Sequence, residues 1–241
     1  MSHHTKGPRK SLPTGIAKVL KRVHTSLEVI LLCVRWYVAY SLSLRDLEET
    51  MAERGIAVDH STVPRWVIKL LQLFEKTFRR HLRPVGNSWR MDEIYILVKG
   101  RWTHLDRAVD KSGRTIDFLL RARRDTAAAR HFLEKAIAQN GVPQTVTVDK
   151  NRANLAALQA INAERETLIK IRQNKYLNNL VKQDHRSIKR RVRPMLGFQT
   201  FRCARIILGG IETMRMIRKG QMATPKRSNP SAAEQFCSLV A

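Results

Sequence analysis

Cysteine is scarce. The chain of 241 residues has three, Cys33, Cys203 and Cys237, isolated and odd in number. That excludes a disulfide framework and fits a reducing compartment. No C-x-x-C or H-x-x-x-H spacing occurs, so a zinc site has no ligand pattern to rest on. Long apolar runs are missing too. The most apolar segment, VILLCVRWYVAYSLSL at 29–44, is broken by Arg35 and preceded by Glu28. It is too short and too interrupted to span a bilayer. The basic start lacks a small-residue cleavage pattern after a clean apolar stretch, which argues against a signal peptide. The expectation is a soluble cytoplasmic protein with no membrane partner.

Acidic residues are few beside basic ones. Lys and Arg number 45 against 20 Asp and Glu, a net charge of +25. Such an excess points to a polyanion, and nucleic acid is the commonest. Hydrophobic residues make up 43% of the chain, which suffices for a packed core.

Residues 1–24 form a basic arm poor in large apolar side chains. Residues 25–82 carry helical periodicity. Leu27, Ile30, Leu31, Val34 and Val38 recur at three- and four-residue steps. Ser43 caps a second helix with Asp46 at its third position, and Gly55 ends it. A third helix follows, with Val63, Val67, Leu70, Leu71 and Phe74 facing inward. Two helices joined by a Gly-containing turn, the second polar and basic at its start, read as a helix-turn-helix. Ser61, Thr62 and Arg65 sit where base or phosphate contacts are made. With Ser61 as N-cap, Pro64 is the third helical residue; with Asp59 as cap it falls inside and kinks the helix. The first register is the expected one.

Pro84 and Gly86 mark a linker at 83–90. Beyond it the composition turns β-rich. The runs at 91–99, 101–110 and 114–124 read as a three-strand meander. A helix capped by Asp125 and closed by Gly141 follows, then a short strand, TVTVDK, a helix, a strand at ETLIKIRQ, and a helix at NNLVKQDHRSIKRRV. A C-terminal helix is expected over 203–220 despite Gly209 and Gly210, and a loosely ordered tail over 221–241. The order β-β-β-α-β-α-β-α over 91–202 implies an α/β, RNase H-like domain of mixed sheet and flanking helices, preceded by the all-α helix-turn-helix domain.

In that layout the first strand neighbours the strand near 145–149, bringing together Asp92 and Asp149. A half-buried strand has little reason to carry an unpaired carboxylate. Two facing aspartates repel unless a cation lies between them. Hard oxygen ligands select Mg2+ or Mn2+, and two such ions suit phosphoryl transfer. The alternative is that each aspartate caps a turn.

The stretches LSLRDLEE, MAERGIAVDHSTVPRWV, RMDEIY, VKGRW, RAVDKSGRTIDFLL, TVDK and KYLNNLVKQDHRSIKRR resemble the DDE transposases of bacterial insertion sequences, most closely the sixth insertion-sequence family. The resemblance runs from about residue 24 to 220. It implies that Asp92 and Asp149 are the two catalytic, metal-binding aspartates. It implies that the third acid, a glutamate, belongs at position 182, where this chain has Lys182. Lys189 matches the basic residue expected two turns on. It implies double-stranded DNA as partner, both as terminal inverted repeats read by the helix-turn-helix and as target, with a homodimer in the complex and association with the nucleoid.

Lysine has donors only and cannot ligate a cation while protonated. A two-metal site weakened by Lys182, and impaired cleavage and strand transfer, are therefore expected. Asp184 is no substitute, because two residues are about 200° of helical rotation. A single-base change converts a Glu codon to a Lys codon. The basic run Arg186, Lys189, Arg190, Arg191 and Arg193 would hold DNA phosphates. His185, a lone histidine on a helix, and Trp66, Trp89 and Trp102 read as packing residues. Two rivals remain: a catalytically dead relict that only binds element ends, and a basic helix-turn-helix transcription regulator with no enzymatic ancestry.

Overall fold

A computed structural model describes residues 25–149, 152–174, 179–224 and 229–240, with the side chains of 179–182 outside that description. The arm expected over 1–24 lies outside the described residues.

Three helices come first. In α1 (Leu27–Ala39) the Ser26 hydroxyl accepts the Val29 amide. In α2 (Leu44–Ala52) the cap is reciprocal: Ser43 Oγ accepts the Asp46 amide at 3.1 Å, and the Asp46 carboxylate accepts the Ser43 amide at 2.8 Å. This satisfies donors that a helix start otherwise leaves unpaired. For α3 (Val63–Arg79) the N-cap is Thr62, one residue later than the expected Ser61. Pro64 is thus the second helical residue, where a missing N–H costs no helical hydrogen bond. Val63, Val67, Leu70, Leu71 and Phe74 are all buried.

The sheet follows. Strands β1 (Ser88–Val98) and β2 (Arg101–Asp110) form a hairpin whose two-residue loop, Lys99 and Gly100, has positive φ at both positions. That is the turn whose twist matches paired strands. Strand β3 (Thr115–Arg121) extends the meander. Asp125 caps α4 (Thr126–Asn140) by accepting the Ala128 amide at 2.7 Å, and Gly141 at φ 82° ends it. Strand β4 (Thr145–Val148), helix α5 (Arg152–Ala163) and strand β5 (Lys170–Gln173) complete a five-stranded sheet ordered β3-β2-β1-β4-β5. β4 and β5 run parallel to β1, and each is reached through a connecting helix, as parallel neighbours require. The fold is α/β and RNase H-like.

Helix α6 (Asn179–Val192), a 3-10 turn (Arg193–Met195) and helix α7 (Phe201–Arg218) follow. The alternation along β1 separates two cores. Trp89 and Met91 join Phe132, Leu133 and Leu158 of α4 and α5. Ile94, Ile96 and Val98 join Ile188 of α6, the buried length of α7, and α1 to α3. The N-terminal helices and one face of the sheet therefore share an apolar cluster across the 83–90 stretch.

Gly209 and Gly210 permit this. A Cβ on Gly210 would meet Leu71 of α3 at 2.4 Å, so only glycine lets α7 lie this close. The expected loose tail is different from what forms. Helix α8 (Ala232–Ser238) has its own capping box, and buried Phe236 packs edge-on against Phe74 with centroids 4.9 Å apart. One buried aromatic anchors a segment too short for helical periodicity to announce. No helix among the described residues is long and apolar enough to cross a membrane.

Candidate active site

β1 carries Asp92 on the face that packs against α6 and α7. The neighbouring residue alternates away: Glu93 pairs with Arg121 and Arg124 on the other face. β1 and β4 are in parallel register, with Ser88 opposite Thr145, Trp89 opposite Val146 and Arg90 opposite Thr147. Carried two residues further, that register sets Asp92 level with Asp149, the residue that follows β4. The meander and the crossover thus bring the strands that lead to the two aspartates, far apart in sequence, side by side. Asp92 Oδ1 accepts the Glu93 amide at 2.9 Å, and its side chain is 13% exposed.

α6 crosses over this point. His185 is buried, with Nδ1 3.8 Å from Asp92 Oδ2. That is too long for a hydrogen bond. Burial, then the charge of Arg107, push the imidazole down to about 3, against the opposing pull of Asp184. His185 is therefore neutral at physiological pH and makes no ion pair. Its Nε2 is buried without a hydrogen-bond partner among the described residues. Position 182 lies one turn before His185 and two turns before Lys189 on the same helix face. The Lys182 side chain itself is outside the described residues.

Asp184 points elsewhere. Its carboxylate meets Arg107 at 3.2 Å, and also Arg215 and Lys219. Burial raises its pKa, but these three cations outweigh burial and hold the carboxyl below the usual range. Arg107 is fully buried and also grips Glu212 of α7 through Nε at 2.7 Å and a second nitrogen at 3.1 Å. Arg215 donates to the Asp184 carbonyl at 2.6 Å. This cluster locks the rotation of α6 against β2 and α7. Sequence alone does not announce this cluster, because Arg107 follows Asp106 in a strand that also ends in Asp110, and its burial depends on partners from α6 and α7. Among the described residues no group of three or more His, Cys, Asp or Glu is placed to hold a metal ion.

The basic run divides. Arg186, Lys189, Arg190 and Arg193 are exposed. Arg191 is half-buried, donating to the Ala39 carbonyl at 3.2 Å and to Ser187, so it ties α6 to the end of α1. Arg186, Arg190, Arg191 and Arg218 line a recess of about 410 Å³ beside Tyr40 and Ser41. Ser61, Thr62 and Arg65 stand together at the accessible start of α3, where Arg65 donates to Thr62 Oγ1 at 3.3 Å. Trp66 and Trp89 are buried as expected, but Trp102 is not a packing residue: it is 65% exposed. Its position beside the hairpin turn leaves no layer to cover it.

The sequence of residues 86–221, from just before β1 to the end of α7, matches the DDE domain family. The transposase for insertion sequence-like element IS431mec of Staphylococcus aureus is 38% identical over 194 residues, covering 80% of this chain and 85% of that one. The transposase for IS257 in transposon Tn4003 of the same species matches at 38% over the same shares. Among solved structures, the HTLV-2 integrase catalytic core in complex with magnesium aligns over 63% of this chain and 98% of that one, at 17% identity and TM-score 0.43. The catalytic core of BIV integrase aligns over 64% and 95%, at 14% identity and TM-score 0.39. The chain belongs to the DDE transposases of bacterial insertion sequences.

Proposed function

We propose that this chain is a DNA transposase that binds the ends of its element but carries out cleavage and strand transfer poorly, because Lys182 stands where the third acid belongs. The observation that supports this reading is the parallel β1–β4 pairing, which ends at Arg90 and Thr147, two residues before Asp92 and Asp149, with His185 of α6, the helix that bears position 182, lying against Asp92. Two carboxylates on adjacent strand positions suit a hard divalent cation, Mg2+ or Mn2+. Asp92 and Asp149 would hold it. Bound there, such an ion supplies the charge that favours attack on a DNA phosphodiester and departure of its leaving oxygen.

The remaining donor set is short of one carboxylate. Asp184 is committed to Arg107, Arg215 and Lys219, so it offers no replacement. His185 lies beside Asp92, with Nδ1 3.8 Å from Oδ2. A protonated lysine has donors only and brings no lone pair to a cation. Metal affinity and strand transfer are therefore low while the fold persists.

Ser61, Thr62 and Arg65 contact the terminal inverted repeats from the start of α3. Arg186, Lys189, Arg190 and Arg193 hold phosphates near the carboxylates, and Arg191 supports them from its tie to α1. Bringing two ends together calls for a homodimer on DNA, and DNA binding places the protein at the nucleoid. The test is end binding. The full chain is expected to bind labelled DNA carrying its element's inverted repeats in preference to unrelated DNA, and Arg65→Ala is expected to lose that preference. Equal affinity of the unaltered chain for both DNAs would contradict it.

A further inference from the structure

Four arginines from two helices meet around one recess. Arg186, Arg190 and Arg191 come from α6 and Arg218 from the end of α7, beside Tyr40 and Ser41. The described residues that line it include no Asp or Glu. Buried arginines elsewhere each have an acid: Arg107 has Glu212, and Arg121 has Asp106. A guanidinium does not shed its charge in a protein. Cations gathered without a carboxylate repel one another, and an anion set among them relieves that repulsion. Arg191 feels this crowding. Burial, then the charges of Arg218 and Arg215, lower its pKa against the pull of Glu212.

The side chains are held in place. Arg191 donates from Nε to the Ala39 carbonyl at 3.2 Å and from a second nitrogen to the Ser187 hydroxyl at 2.6 Å. Arg218 lies over the Tyr40 ring, 5.4 Å from its centroid. That contact occupies a face of the one aromatic ring among the described lining residues. The recess therefore offers guanidinium groups rather than a stacking platform. Such a surface suits the backbone phosphates of a nucleic acid, not its bases.

The turn of α6 separates the recess from the aspartates. Counted round the helix from position 182, Lys189 lies within about 20°, Arg186 about 40° away, Arg190 about 80° and Arg191 about 180°. His185, which lies against Asp92, is about 60° round in the opposite sense. The recess is thus on the other flank of α6 from Asp92, across an exposed crest that carries Arg186 and Arg190. It also adjoins the helix-turn-helix: Ala39 ends α1, and Ser41 leads into α2. A duplex that is read by those helices and reaches the aspartates has both walls beside it.

We propose that this recess is a second phosphate site, separate from the one at the aspartates, and that it grips the backbone of the element-end duplex between the repeat read by α3 and the end held at Asp92 and Asp149. Arg190, Arg191 and Arg218 take the phosphates, and Arg186 joins the site to the catalytic flank of α6. The proposal rests on the DNA-transposase reading. It adds α7 to the DNA-binding surface.

Phosphate ethylation interference tests it, in chelator, so that catalysis plays no part. The full chain is bound to a labelled duplex carrying the element's inverted repeat. Ethylation removes a phosphate's charge, so each contacted phosphate appears as a position where binding is lost. Arg218→Ala is expected to erase one cluster of such positions, and Arg190→Ala the same cluster. Lys189→Ala is expected to erase a different one. Arg218→Ala should also reduce the slope of log affinity against log salt by about one, the share of one phosphate, and Arg218→Lys should restore it. An unchanged interference pattern and salt slope in Arg218→Ala overturn the recess while leaving DNA binding intact. Different clusters for Arg218→Ala and Arg190→Ala overturn it too, since the two arginines then serve separate contacts. A loss in Arg218→Ala that appears only when a second, unrelated duplex joins the end complex assigns the recess to target DNA, and the proposal falls. Failure of the unaltered chain to bind any DNA overturns the transposase reading with it. Arg190 and Arg218 are both exposed and sit on different helices, so one variant decides if the other disturbs the fold.

Discussion

Arg107 of β2 and Asp184 of α6 are joined at 3.2 Å inside the protein, and this pair sets which face of α6 looks at Asp92. With Asp184 turned toward Arg107, Arg215 and Lys219, His185 comes to lie against Asp92, and position 182 lies a turn earlier on that face. The acid that sits nearest to position 182 on the helix is thereby removed from the candidate metal site and given a structural task.

Removing that acid leaves three cations facing one another. Asp184→Asn is expected to destabilise the protein by about 3–5 kcal/mol, the cost of breaking a buried ion pair on one side. The pH dependence follows from the sign of its shift. Asp184 has its carboxyl held below the ordinary value, so its contribution is present above about pH 4 and is lost as pH falls through the lower folded value. Denaturant unfolding at a series of acidic pH values should show a shallower loss of stability in the variant. An equally steep loss would mean that other carboxylates dominate.

The contact of α7 on α3 makes a second prediction. Gly210→Ala puts a methyl group into Leu71, and overpacking of this kind costs about 1–3 kcal/mol. Urea unfolding should show a lower midpoint with unchanged slope. A gain in stability, the usual result of replacing a helical glycine by alanine, would show that the helices are further apart than described.

Phosphate contacts reveal themselves in salt. Replacing exposed Arg186 and Arg190 together by alanine should weaken binding to all DNA sequences alike and reduce the slope of log affinity against log salt by about two. Arg191→Ala should act differently, lowering stability as well, because its guanidinium bonds the Ala39 carbonyl. An unchanged salt slope in the double variant would place the DNA on another face.

Much of the fold was legible because local chemistry and tertiary structure agree. Ser43 with Asp46, and Asp125 with Gly141, mark helix ends that form as marked. The alternation in β1 to β3 separates the two cores. That β1 and β4 are neighbours follows from strand order alone. What stayed hidden depends on distant partners. Trp102 reads as core until the hairpin turn is seen to leave it uncovered. Phe236 needs Phe74 to give α8 an anchor. The helix at Gly209 and Gly210 is expected from the pattern, but the need for glycine there shows only once α3 is placed against them. The commitment of Asp184 to Arg107 could be excluded from the site by helical rotation, but its partners could not be named.

The most direct measurement is strand transfer with Mg2+ or Mn2+ on DNA carrying the element's own ends, comparing the chain as it stands with Lys182→Glu. Activity in the glutamate variant, with little or none in the unaltered chain, is the expected result and makes Lys182 the lesion. Full activity of the unaltered chain would contradict it, since the third ligand would then come from elsewhere.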